Sequence, residues 1–179
     1  MHASLIVFTG LPGTGKSSIA EPVGRALDIP VFAKDWLEAT LRRSGLDQHA
    51  ACADRLGYAG YELLTTLALR QLQLGQSAIL DSVATFERIR AQWRALAADY
   101  GTHWRVIEVI CSDEATHRAR LAVRTRGIPG WHELTWDEVE RVRCHYEPWT
   151  DDRLILDSVD PLDDLIAAAL AYVNQDQRT

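Results

Sequence analysis

The segment that most constrains this chain is Gly10-Leu11-Pro12-Gly13-Thr14-Gly15-Lys16-Ser17-Ser18. It lies between a short apolar run, Ser4–Thr9, and a helical pattern opening at Lys16. The pattern G-x-x-x-x-G-K-[ST] needs a strand before it and a helix after it, and both are present. Each residue type has a physical task. The glycines permit backbone angles that a Cβ would forbid. Successive amides, with the dipole of the following helix, converge on phosphate oxygens. Lys16 would reach the β- and γ-phosphates of a nucleoside triphosphate, and Ser17 would ligate Mg²⁺. A dinucleotide fingerprint does not fit, because Ser18 stands where the third glycine should be.

The rest of the chain extends the strand–helix alternation. Helix is expected over Lys16–Leu27, and a short strand over Val31–Ala33. Asp35-Trp-Leu-Glu38 reads as a helix-opening capping box with Asp35 in the cap position. A long helix is expected from about Asp54 to Leu74, a strand over Ala78–Leu80 finishing at Asp81, and a helix from Phe86 to Tyr100. Trp104–Cys111 is the fourth strand and Asp113–Arg126 an Arg-rich helix. Thr135–Glu138 is a second capping box, and Leu154–Leu156 the fifth strand. Asp160-Pro161 opens the last helix, as cap and first helical residue. Strands that are continuous apolar runs, alternating with helices, imply a parallel sheet covered on both faces. The expected class is therefore α/β, a three-layer fold on a five-stranded parallel sheet, forming a single domain over residues 1–179. Gly127–Leu134, with two Gly and one Pro, reads as a mobile loop.

Composition narrows the function classes. The net charge is −6, which argues against broad binding to nucleic acid or anionic membrane while leaving room for a local basic cleft. No apolar run reaches the length of a bilayer span, and no secretory leader is expected. Three widely spaced cysteines, Cys52, Cys111 and Cys144, suit neither a disulfide framework nor a metal site, so a cytoplasmic setting is expected. Cys111 and Cys144 are expected to be buried. Of 19 basic residues only Lys16 and Lys34 are lysines, and each lies near a suspected phosphate-handling segment.

Three further groups of residues bear on chemistry. Asp35 lies just past the second strand, at the end of the sheet where open α/β folds bind ligands. It reads both as a helix cap and as a substrate contact. Lys34, Arg42 and Arg43 read as solvated surface. Asp81 ends the third strand, where a carboxylate can hold a water on Mg²⁺ or line an acceptor pocket; Ser82 could serve as well. Arg118, Arg120, Arg124 and Arg126 form a cluster in which Arg120 and Arg124, four apart, share a helical face. Trp36 and Trp131 are the tryptophans placed to stack on a ring, whereas the others read as packing residues.

GLPGTGKSS, KD after the second strand, ILDS, CSDEATHRARLAVRTRG, YEPW and LILDS occur in an order that resembles the P-loop kinases related to chloramphenicol phosphotransferase, zeta toxin and polynucleotide kinase. The resemblance spans nearly the whole chain. It implies ATP with Mg²⁺, an Arg-bearing lid, and transfer of the γ-phosphoryl to a hydroxyl. Residues Gly10 to Ser18 would cradle the triphosphate. Arg120 and Arg124 would grip it as lid arginines, Asp35 would orient or deprotonate the acceptor hydroxyl, and the loop after the last strand would meet adenine. A hydroxyl-bearing small molecule is the expected acceptor. A polynucleotide 5′-end is less favoured by the acidic charge, and a nucleotide sensor with slow hydrolysis is the rival from another class.

Overall fold

The computed structural model describes residues 3–48 and 55–175; Cys52 and Asp54 fall outside them. Its element order is β1 (Ser4–Thr9), α1 (Lys16–Leu27), β2 (Val31–Ala33), α2 (Lys34–Arg43), a short 3₁₀ turn (Leu46–Gln48), α3 (Leu56–Gln73), β3 (Ala78–Asp81), α4 (Glu87–Asp99), β4 (His103–Ile110), α5 (Glu114–Val123), α6 (Trp136–His145), β5 (Leu154–Asp157) and α7 (Leu162–Val173). The five strands form one all-parallel sheet in the order β2-β3-β1-β4-β5.

Strand periodicity explains why β1 reads as an unbroken apolar run. Leu5 and Val7 point to one face, Ile6 and Phe8 to the other. On the first face Leu80 and Val106 join them under α3 and α4, represented by Leu64, Ala68 and Trp93. On the second, Ile79, Ile107 and Val109 pack beneath α1 and α7, with Ile19, Val23, Leu165 and Ala169. Both faces are thus covered, which is the condition under which parallel strands carry no polar alternation. Burial recurs every four residues in α4 (Ile89, Trp93, Ala97) and α7 (Leu165, Ala169, Val173), one apolar stripe per helix.

This order places the site. β1 is central, with β3 on one side and β4 on the other, so chain connections depart in opposite directions from its C-terminal end. A crevice forms at such a switch point. Phe8 and Ala33 both sit in register with Asp81, so the segments leaving β1, β2 and β3 emerge side by side.

Several boundaries differ from the sequence expectation. α2 begins at Lys34 with Ala33 in the cap position, and no side chain caps it. Asp35 is therefore not a cap, and Glu38 turns to Lys34 and Arg42 instead of the helix end. α5 ends at Val123, and Arg124 already has extended backbone angles. Arg120 and Arg124 consequently share no helical face. Pro161, not Asp160, precedes the first turn of α7. The Thr135–Glu138 capping box forms as expected. Cys111 is partly exposed and Cys144 exposed, so neither is the buried small hydrophobe expected.

Candidate active site

The loop joining β1 to α1 needs its glycines. Gly15 caps α1 in the left-handed region, with φ of 95°. Gly10 has φ of 132°, and a Cβ there would lie 2.1 Å from the Val109 carbonyl oxygen of the neighbouring strand. The loop is braced from within. The Thr14 hydroxyl donates to the Leu11 carbonyl at 2.9 Å, and Lys16 Nζ donates to the same oxygen at 2.9 Å. His117 of α5 donates to the Pro12 carbonyl at 2.8 Å from a buried ring whose pKa burial pushes down, so α5 is tied to the loop. Lys16 is only 8% exposed, contrary to an exposed loop lysine. Burial lowers its pKa to about 8, against the opposing pull of Asp81; Arg126 and Arg124 lower it further.

Ser17 Oγ donates to Asp81 Oδ2 at 2.5 Å, which joins the start of α1 to the end of β3. Burial pushes the Asp81 carboxyl up, although Lys16 and Ser17 pull the other way. Asp81 is thus a second, independent sequence expectation that the fold brings to the cradle.

The arginines divide among different tasks. Arg120 Nη1 donates to the Ser158 carbonyl at 2.8 Å and to its hydroxyl at 3.1 Å, so it holds the loop after β5. Arg124 Nε lies 3.4 Å from Glu133 Oε2, but neither Nε nor Nη2 makes a hydrogen bond, and both atoms are buried. Arg126 pairs with Asp35 and reaches within 3.5 Å of Ser17 Oγ. Burial lowers its pKa, while Glu133 and Glu21 raise it. Arg118 pairs with Glu114 on the exposed side and packs over Trp136. The sequence reading selected Arg120 and Arg124 by helical spacing. Arg126 was named in the cluster but not chosen, and its position depends on the helix ending three residues earlier than expected, at Val123.

Lys34 and Arg42 are not solvated surface either, whereas Arg43 is exposed as expected. Lys34 Nζ meets Glu38 Oε2 at 2.6 Å and lies 4.9 Å over the Tyr61 ring. Gly60 leaves room for it, since a Cβ there would come within 3.3 Å of Lys34 Cγ. Arg42 Nη2 donates to Glu38 Oε1 at 2.8 Å. Burial alone would raise the Glu38 carboxyl, but the two cations hold it below its ordinary value. Arg43 donates to the Pro129 carbonyl at 2.8 Å, clasping the turn after the arginines.

These groups line one cleft of about 1140 Å³ at the C-terminal end of the sheet. Gly13, Gly15, Lys16 and Ser17 line it together with Asp35, Trp36 and Trp131, and Asp81, Arg120, Arg124 and Arg126 also line it. YEPW lies apart. Fully buried Arg90 of α4 donates to the carbonyls of Glu147 at 2.6 Å and Pro148 at 3.0 Å, and to that of Ala84 at 2.7 Å. The segment is a structural brace for the loop after β3.

Residues 5–148 match the AAA domain family. The chain belongs to that family. Among curated proteins it is 32% identical over 136 residues to uncharacterized proteins of Mycobacterium tuberculosis and Mycobacterium bovis. The match covers 70% of this chain but only 27% of theirs, so it spans about a quarter of those relatives. Solved structures show the same fold. A sugar kinase from Janibacter sp. aligns with a TM-score of 0.72 at 16% identity, covering 96% of this chain and 95% of that one. A gluconokinase from Sinorhizobium meliloti aligns at 0.70 and 17%, covering 97% and 93%. Kti12 from Chaetomium thermophilum, in complex with ADP-AlF3, aligns at 0.67 and 22%, covering 94% and 98%. The fold is that of the P-loop kinases. Among the described residues no helix is long and apolar enough to cross a membrane.

Proposed function

We propose that the chain is an ATP-dependent phosphotransferase that moves the γ-phosphoryl to a hydroxyl of a small-molecule acceptor. The observation that carries this reading is a desolvated positive charge that its neighbours answer only in part, Asp81 at Lys16 and Glu133 at Arg124. Lys16 and the unsatisfied Arg124 donors face one cleft beside the loop amides, and the carboxylate nearest Lys16 is itself pushed toward protonation. A triphosphate supplies the missing charge. The Kti12 structure contains a nucleotide with a phosphoryl mimic on the same fold, which supports this choice of ligand.

The residues then take distinct tasks. The loop amides and Lys16 bind the β- and γ-phosphates, and α1 adds its dipole. Ser17 and Asp81 fit Mg²⁺, Ser17 as a direct oxygen ligand and Asp81 through water. Among the described residues no cluster of three or more His, Cys, Asp or Glu forms an all-protein metal cage, in keeping with an ion held mainly by phosphate and water. When held by Ser17 and Asp81, Mg²⁺ would supply positive charge that neutralises the phosphate oxygens. Arg124 and Arg126 stabilise charge spreading over the transferring group. Asp35 orients the acceptor O–H. As the acceptor oxygen bonds to γ-phosphorus, the bond from phosphorus to the β–γ bridging oxygen breaks, ADP leaves, and the proton passes to the Asp35 carboxylate.

Arg126 pairs with Asp35 in the free chain, so both carboxylate and guanidinium must be released before transfer. The test is acceptor-stimulated ATP consumption. The chain is incubated with ATP and Mg²⁺, then with pools of hydroxyl-bearing metabolites, then with 5′-hydroxyl oligonucleotides. ADP formation that rises with a small-molecule pool is expected. Slow hydrolysis indifferent to every acceptor would make the chain a nucleotide sensor, and a response confined to oligonucleotides would make it a polynucleotide kinase.

A further inference from the structure

The acceptor end of the cleft differs in character from the phosphate end. Four of its charged side chains come from α2, and they cancel in sign. Lys34 and Arg42 both close on Glu38, and Asp35 is the remaining carboxylate. Three half-exposed rings line the cleft, one of them, Tyr58, with the Arg88 guanidinium 4.8 Å over its face. Trp36 is 46% exposed, Tyr58 44% and Phe86 47%. They come from three separate elements, the first turns of α2 and α3 and the residue before α4, which the parallel register of β2 and β3 brings together. No described residue lining the cleft is Asn or Gln, the side chains that supply paired donors and acceptors to polyols. Several polar atoms lining the cleft are unspent, among them Arg42 Nε, Trp131 Nε1 and the Ser82 hydroxyl. Ser82 is 4% exposed, it lines the cleft directly after Asp81, and its hydroxyl has no hydrogen-bond partner.

We propose that the acceptor is a neutral alcohol with a flat apolar or aromatic body, seated against Trp36, Tyr58 and Phe86, with its polar end held by Ser82 and Asp35. The inference rests on the phosphotransferase reading for its chemistry but not for its occupancy. Exposed rings lose water when an apolar body covers them, and ring-on-ring contact adds to that gain. The four α2 charges sum to zero, so this wall offers an anionic acceptor no net attraction. Pockets of this kind are largely apolar with a few placed polar groups, and the cleft volume leaves space for a small body beside a nucleotide.

Two readouts separate this inference from the reading beneath it. The first is equilibrium binding of naphthylmethanol, followed by its fluorescence in the presence of a non-hydrolysable ATP analogue. Binding is expected, and Tyr58→Ala and Phe86→Ala should each weaken it about tenfold while leaving analogue affinity unchanged. Ser82→Ala should weaken it less, and Ser82→Thr should retain more binding than Ala. The second is label transfer from γ-labelled ATP to naphthylmethanol, glucose or gluconate. Transfer to the aryl alcohol at least tenfold above the other two is expected. Preferential labelling of glucose or gluconate overturns this inference and leaves the phosphotransferase reading intact. Ring-dependent binding without transfer to the aryl alcohol keeps the apolar seat but overturns its assignment as the acceptor site. Absence of naphthylmethanol binding, or binding indifferent to both ring truncations, overturns the inference outright.

Discussion

The two ends of the cleft are built on opposite electrostatic plans. At the phosphate end, positive groups are buried and left short of partners: Lys16 is held mainly by a carbonyl, and Arg124 has two unsatisfied nitrogens. At the acceptor end, cations and carboxylates are closed on one another around Glu38. An end that must take up a polyanion stores unsatisfied positive potential. An end that must not compete for that polyanion cancels its own charge. The contrast gives the cleft a direction, because a triphosphate has only one end at which its charge is answered.

Removing the stored charge should have the largest effect. Lys16→Ala is expected to lower transfer by about 10³-fold or more, at the upper range for loss of one preorganised donor. Its melting temperature should match or exceed that of the wild type, because the ammonium is desolvated by burial. Steady-state kinetics and thermal melting check both halves. Wild-type turnover in this variant would erase the distinction between the two ends.

The next effects concern the contact that joins the ends. Arg126→Ala should lower kcat by about 10²-fold. Arg120→Ala, which frees the Ser158 loop, should act more on the KM for ATP. A kcat loss confined to Arg120→Ala would reverse their roles. Asp35→Asn should cut acceptor-dependent transfer by about 10²-fold while intrinsic ATP hydrolysis falls less. No cap is lost in that variant, since Asp35 caps nothing, so melting should stay close to wild type. Full transfer at unchanged stability would direct the search for the acceptor carboxylate to Asp81.

A smaller effect tests the same contrast by pH. Lys16 titrates at about 8 in the free chain, and a bound triphosphate favours its charged form. Binding of a non-hydrolysable ATP analogue should therefore take up a proton above pH 8, and affinity should fall up to tenfold per unit as pH rises from there. Calorimetry in buffers of different ionisation enthalpy measures the uptake, and no uptake near pH 9 would contradict it. The smallest expected effect lies at the other end. The Glu38 carboxyl is held below its ordinary value of 4.5 by Lys34 and Arg42. Its contribution to stability is complete above that value and fades as pH falls below it. Glu38→Gln should flatten the acid limb of the melting profile, and an unchanged limb would mean the triad carries little energy.

The phosphate end was legible in the sequence because its chemistry is contiguous. One loop supplies glycines, Lys16 and Ser17, and local backbone rules fix their geometry. The strands were legible for a similar reason: Ser4–Thr9 and Val31–Ala33 are the observed limits of β1 and β2. The acceptor end was not. Asp35 was named, but its bond to Arg126 spans ninety-one residues of sequence. The role of Arg126 depended on where α5 stops, and no capping residue marks Val123. Lys34 and Arg42 looked like solvated charges because Glu38 was assigned to a capping box. Arg90 carried no signal at all, since an arginine on an amphipathic helix ordinarily faces water, and here it is fully buried against four carbonyls.

The most direct test is the fate of the γ-phosphoryl. The chain is incubated with γ-labelled ATP, Mg²⁺ and a responsive hydroxyl acceptor, and ADP, inorganic phosphate and labelled acceptor are quantified together. One labelled acceptor for each ADP is the expected result, with both products lost in Lys16→Ala. ADP matched by inorganic phosphate, with no labelled acceptor at any concentration, would contradict it.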